Sequence, residues 1–153
     1  MATVEVRREP ADDDPGRTLL AEFEREIAER YPGWDSSQGP TALPAEIGPP
    51  TGCFLVAYVD GQPSGCGALK RLDEETAEIK RVYVAPQARG HGVARRLLTA
   101  LEAAARELGY ARARLDTGAR QPDAVALFRS SGYEEIPDYN GNAYAAYWFE
   151  KGL

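Results

Sequence analysis

Residues 82–94 read VYVAPQARGHGVA. An apolar strand, a basic glycine-containing turn and the start of a helix follow one another without interruption. A chain with this run must fold so that a strand's end meets a helix's N-terminus. Unsatisfied N–H groups of a first helical turn and the positive end of the helix dipole converge there. That arrangement suits a phosphate or pyrophosphate. Gly90 and Gly92 allow close backbone approach and left-handed dihedrals. Arg89, Arg95 and Arg96 add positive charge. His91, between the glycines, contributes mainly its amide.

Three readings of this turn compete. In the first, the amides of Arg89, Gly90, His91, Gly92 and Val93 cradle a pyrophosphate. In the second, the stretch from Gly90 to Arg95 is a dinucleotide fingerprint with Asp116 as its distant acid, although Arg95 stands where the third glycine belongs. Ala85 to Arg89 make that turn too long, and the roughly sixty residues that follow are too few for a doubly wound sheet. In the third, the glycines only reverse the chain. No Gly-Lys-Ser/Thr follows, so the run is not a Walker loop.

The remaining elements are read from periodicity. Residues 3–8 alternate and predict a strand. Asp12 to Asp14 and Pro15 open a helix whose apolar face is Leu19, Leu20, Phe23, Ile27 and Tyr31, with Pro32-Gly33 stopping it. Residues 34–52 read as irregular, with a short helix near 43–47. Such a long loop is either a binding loop or a plain surface connection. Residues 53–59 and 64–72 predict a hairpin around Asp60-Gly61-Gln62-Pro63. With Val59 facing Ser64, Cys66 falls opposite Ala57 and a disulfide to Cys53 is not expected. Residues 76–84 form the next strand. Ile79 and the pair Val82, Val84 are out of phase, which predicts a bulge near Lys80-Arg81. A helix over 90–108, a strand over 111–117, a helix from Pro122 to Gly132 and strands over 133–136 and 143–150 complete the chain. The expected fold is mixed α/β, one domain over 1–153 with about seven mostly antiparallel strands.

Composition narrows the partners. The 153 residues carry a net charge of −6, which argues against a nucleic-acid surface and mildly favours a cationic partner. No apolar stretch is long enough to span a membrane and no signal core is present, so a cytoplasmic protein is expected. With one histidine and two cysteines, no metal-ligand spacing exists and no metal is expected.

The stretch from Gln87 to Ala94 resembles the Gln/Arg-x-x-Gly-x-Gly/Ala signature of the GCN5-related N-acetyltransferases (GNAT). AEIKRVYV at 77–84 and AVALFRSSGY at 124–133 match its flanks. The resemblance covers roughly residues 53–150. It implies a single N-acetyltransferase domain over 1–153, with a sheet splayed between strands 76–84 and 111–117 and helices on both faces. It implies acetyl-CoA as acyl donor. Arg89, Gly90, His91, Gly92, Val93, Ala94 and Arg95 would hold the pyrophosphate. Val82, Tyr83 and Val84 would pair with the pantetheine arm as a strand does, with Gln121 and Phe128 beside it.

Acyl transfer to an amine needs a neutral nitrogen, and an alkyl ammonium has a pKa of about 10.4. A carboxylate in or near the cleft can take the proton, directly or through water. By resemblance Glu78 is the candidate base. Asp116, at its strand's end, is the alternative and a candidate for binding the substrate amine. The family's frequent helix tyrosine is Phe128 here, and its frequent asparagine is Gln121. Tyr139, in the loop Asp138-Tyr139-Asn140-Gly141-Asn142, is the candidate acid, with Tyr133 and a mechanism without a protein acid as alternatives. Arg112, Arg114 and Arg120 are candidates to hold a substrate carboxylate. The expected acceptor is a small amine or amino-acid-like molecule. A weakly catalytic acyl-CoA-binding module and a peptide N-acetyltransferase are the alternatives. A homodimer through the last strands is the expected association.

Overall fold

The computed structural model describes residues 2–35 and 40–153; the part of the expected binding loop at 36–39 lies outside them. Seven strands form one sheet in the order β1-β2-β3-β4-β5-β7-β6. They are β1 (Val4–Arg8), β2 (Cys53–Val59), β3 (Gln62–Arg71), β4 (Thr76–Val84), β5 (Arg112–Thr117), β6 (Glu134–Ile136) and β7 (Tyr147–Gly152). Only the β4–β5 pairing is parallel.

Helix α1 (Gly16–Arg30) covers one face and α2 (Val93–Glu107) the other, with α3 (Pro122–Ser130) beside α2. β2 is buried along almost its whole length because helices lie on both sides. Leu97, Leu98 and Leu101 of α2 pack on Leu55, Leu69, Ile79 and Leu115, with Phe128 and Phe149 in the same cluster. Leu19 of α1 packs on Phe54, Val56 and Tyr83. Each face therefore holds a helix by apolar burial.

Four local features differ from the sequence expectation. The hairpin turn is the two residues Asp60 and Gly61, both left-handed (φ 49° and 82°). Val59 therefore faces Gln62, Ser64 is the extra residue of a bulge, and Cys66 lies opposite Val56 rather than Ala57. The thiols are buried in the two separate clusters, and burial pushes Cys66 up to about 12. Helix α2 begins at Val93 instead of residue 90, because left-handed Gly90 and Gly92 (φ 86° and 74°) break the helical path. Residues 143–146 precede β7 as turn and loop. The single turn at 44–47 replaces the short helix expected there.

The phase slip in β4 is a bulge. Cys66 pairs with Tyr83 but Ala68 with Lys80, so Gly67 opposes both Arg81 and Val82. Arg81 takes the left-handed conformation (φ 59°). Ile79, Val82 and Val84 all join the α2 side as a result, while Tyr83 turns to the α1 side.

Candidate active site

β4 and β5 pair only from Thr76–Arg112 to Glu78–Arg114. Beyond Glu78 they part, β5 staying with β7 and β4 with β3. The gap is a cleft of about 530 Å³ that runs between α1, the start of α2 and α3. Val82, Tyr83 and Val84 line it, as do Arg89, Gly90, Gly92, Val93, Ala94, Arg95, Gln121 and Phe128. His91 does not.

At the α2 end the cleft wall is backbone. Among the described residues, no acceptor within the protein takes the N–H groups of Gly90, His91, Gly92, Val93, Ala94 or Arg95. Gly92 caps the helix without a side-chain bond. A Cβ built on Gly90 or Gly92 meets nothing within 4 Å, so the space before these amides is open. A row of free donors at a positive helix end fits an anionic pyrophosphate. Arg95 donates to Ser130 Oγ (2.8 Å) and Ser131 Oγ (3.2 Å), and Arg89 donates to Glu26 (2.5 Å) and the Val84 carbonyl (3.0 Å). Arg96 instead reaches the Val4 carbonyl and lies away from the cleft. Phe128 is 5% exposed and packs edge-on to Tyr133 and against Phe149, both at 6.0 Å between ring centroids.

At the other end the wall is made of side chains. Glu78 and Tyr139 are brought together, with the Tyr139 hydroxyl donating to Glu78 Oε2 at 2.5 Å. Neither lines the cleft. Glu78 is 1% exposed, and its carboxylate also accepts from Asn140 Nδ2 (3.2 Å) and faces Lys80 Nζ (3.5 Å). Direct contact of Glu78 with an acceptor amine is thus not what this geometry provides. Burial, then the Glu78 charge, pushes the Tyr139 phenol far above its ordinary range. That makes it a poor proton donor to a leaving group.

Asp116 does line the cleft, at the end of β5 where the sheet opens. Its carboxylate accepts from Asn140 Nδ2 (2.6 Å) and Asn142 Nδ2 (3.3 Å). Asn140 therefore bridges both carboxylates with one NH2 group. Its oxygen accepts from Trp148 Nε1 (3.0 Å) and the Asn142 N–H (3.1 Å), which fixes which way the amide faces. Asp138 Oδ1 accepts the N–H groups of Asn140 and Gly141 and so holds the loop in shape.

Residues 16–133 match the sequence model of the Acetyltransferase (GNAT) family. The chain belongs to this family. It is 34% identical over 137 residues to the IAA acetyltransferase of Azospirillum brasilense, covering 88% of this chain and 87% of that one. Its fold matches a GNAT-family acetyltransferase from Staphylococcus aureus Mu50 (TM-score 0.81, 18% identity, 99% of both chains). It also matches one from Elizabethkingia anophelis whose crystal structure has acetyl-CoA bound (TM-score 0.67, 18% identity, 98% of both chains). The protein is an acetyltransferase.

Several residues of this acetyltransferase cleft escaped the sequence reading. Tyr31, Trp34 and Tyr144 line it, and the rings of Tyr31 and Tyr144 meet edge to face at 6.1 Å. Gly118 is forced by them, since a Cβ there would lie 1.8 Å from the Tyr31 hydroxyl. Tyr31 was legible only as a helix-face aromatic, and Asn140 and Asn142 only as turn residues. The three arginines expected to hold a carboxylate are engaged elsewhere. Arg112 bonds Thr76 and Glu75, Arg114 bonds Glu150, and Arg120 bonds the Arg30 carbonyl. None lines the cleft. Lys80 and Arg81 do.

Proposed function

We propose that residues 1–153 form one N-acetyltransferase domain that moves an acetyl group from acetyl-CoA to the primary amine of a small, amino-acid-like acceptor. The observation that carries this is the run of N–H groups from Gly90 to Arg95 that have no acceptor among the described residues, beside a strand that none of those residues pairs on its cleft side. The amides take the pyrophosphate, and the cleft side of Val82 to Val84 takes the pantetheine arm as an added strand. Arg89 and Arg95, held by Glu26 and by Ser130 and Ser131, flank it. Gln121 and Phe128 line its far wall.

Bound acetyl-CoA supplies an activated acyl carbon, whose C–S bond breaks as the amide C–N bond forms. Asp116 receives the proton that the acceptor ammonium must lose, directly or through one water. Asn140 and Asn142 hold Asp116 by donating to it. Glu78 is a positioning residue behind it, joined through Asn140, and Tyr139 anchors Glu78. The nitrogen gives up its second proton to solvent as the amide forms, and the departing thiolate takes a proton from solvent. No helix among the described residues is long and apolar enough to cross a membrane, and the proposed setting is the cytoplasm.

The test is thermal unfolding with millimolar acetyl-CoA, followed by thiol release across an amine panel. A ligand bound only by the folded state raises Tm. No shift overturns the reading. Loss of turnover in Glu78→Gln with full turnover in Asp116→Asn would move the base to Glu78.

A further inference from the structure

Arg81 stands apart from the other cations of the cleft. Lys80 faces Glu78, Arg89 is tied to Glu26, Arg95 to two serines, and Arg30 to the Arg120 carbonyl. Arg81 lines the same cleft and, among the described residues, its guanidinium has no hydrogen-bond acceptor and no carboxylate within ion-pair distance. Its only close partner is the ring of Phe23 in α1, 5.7 Å from its carbon to the ring centroid. The left-handed bulge at Arg81 is the backbone feature that sends this side chain to the α1 side, next to the polar end of the cleft. Glu24, whose charge acts on it most, and Asp116 and Glu78 lie near enough for their charges to act on it, yet none of the three bonds it.

A guanidinium partly withdrawn from water with no carboxylate bonded to it carries a cost, and such groups are normally paired. Desolvation accordingly pulls Arg81 below its ordinary range. An anion arriving in the cleft would relieve that cost, and five N–H donors in a planar fork match a carboxylate. Asp116, on the β5 side of the same cleft, offers the opposite charge. A cation-holding group and an anion-holding group at one cleft end complement an amino acid carrying both charges.

We infer that Arg81 is a specificity-determining residue that holds the carboxylate of the acceptor, so that the acceptors are free amino acids or close amino-carboxylates rather than simple amines. This rests on the acetyltransferase reading above and narrows its acceptor. The ammonium then faces Asp116 while the carboxylate is forked by Arg81. Loss of an amide-for-carboxylate interaction of this kind is worth at least about tenfold in kcat/KM.

The experiment compares the standard L-amino acids with their carboxamides as acceptors, with acetyl-CoA saturating and coenzyme A release as the readout. For the best acid, wild type is expected to favour it over its amide by at least about tenfold. Arg81→Lys and Arg81→Asn, the latter tolerant of a left-handed backbone, are expected to bring that ratio close to one. They should do so by raising the acceptor KM, with the acetyl-CoA thermal shift retained. A wild-type ratio near one, or turnover of amides but of no amino acid, overturns the inference. So does an unchanged ratio in folded variants. The wild-type comparison stands even where a variant does not fold. Absence of any acetyl-CoA thermal shift marks a different failure, that of the acetyltransferase reading itself.

Discussion

At the α2 end of the cleft the groups that face a ligand are consecutive backbone amides, Gly90 to Arg95. At the loop end they include the side chains of Asp116 and Asn142, backed by side chains from β4, the 138–142 loop and β7 that Asn140 gathers. The first end needs only that a few residues permit a backbone path. The second needs every partner in place, because Asp116, Glu78, Asn140 and Trp148 form one hydrogen-bonded unit. Substitutions should therefore act locally and through conformation at the α2 end, but spread through the network at the loop end.

The sharpest way to break this contrast is Asp116→Asn. It should lower kcat by at least about a hundredfold, the usual worth of a general base, while the acetyl-CoA thermal shift stays as in wild type. Turnover within about threefold of wild type would mean that the loop end does not supply the base. At the α2 end, Gly92→Val forces a β-branched residue into φ 74°. A strain of about 1–3 kcal/mol should raise the acetyl-CoA KM about tenfold or more. His91→Ala should leave that KM within about twofold, because only its amide is used. A large effect of His91→Ala would replace the backbone account with a side-chain one.

Asn140→Ala probes the network with a readout that mere packing would not move. Removing the one NH2 group shared by two carboxylates takes from Asp116 its shortest hydrogen bond. kcat should then fall about tenfold, with the acetyl-CoA thermal shift unchanged. An unchanged kcat would reduce Asn140 to scaffolding.

The smallest effect lies at neither end. Glu46 accepts from the Leu43 N–H (2.9 Å), pairs with Lys70 (2.9 Å) and accepts from Thr41. The Leu43 amide first, then Lys70, hold its pKa at about 2 against an ordinary 4.5. A depressed folded pKa gives stability that is present above 4.5 and is lost as pH falls towards about 2. Glu46→Gln should remove that component of the acid-unfolding curve and leave turnover untouched. Identical acid unfolding in the variant would show that the turn carries none of it.

The same contrast explains what could be read in the sequence. The α2 end was legible because its glycines, its helix and its preceding strand are adjacent in the chain. The β4 bulge was legible too, because Ile79 and Val82 cannot share a face without it. Asn140 was not, since an asparagine beside glycine is ordinary turn chemistry. Only the fold brings Trp148 and two carboxylates around it. Glu78 was visible as an acid on the right strand, but its burial under Tyr139 and Lys80 depends on a loop sixty residues away. Arg81 was read as part of a phase slip, and that its guanidinium has no hydrogen-bond acceptor among the described residues is a fact of three dimensions.

The short ladder between β4 and β5 has a mechanical side. Only three residue pairs join the two strands. At its centre Ala77 faces Ala113, both at 0% exposure. The two parts of the sheet diverge from this point as the arms of a wedge do from its apex. A bulkier residue at the apex would pry the arms by a small amount that grows toward the mouth. Ala77→Val is thus a way to alter the width of the opening from its closed end, to be read as a change in acetyl-CoA affinity without touching any residue of the opening itself.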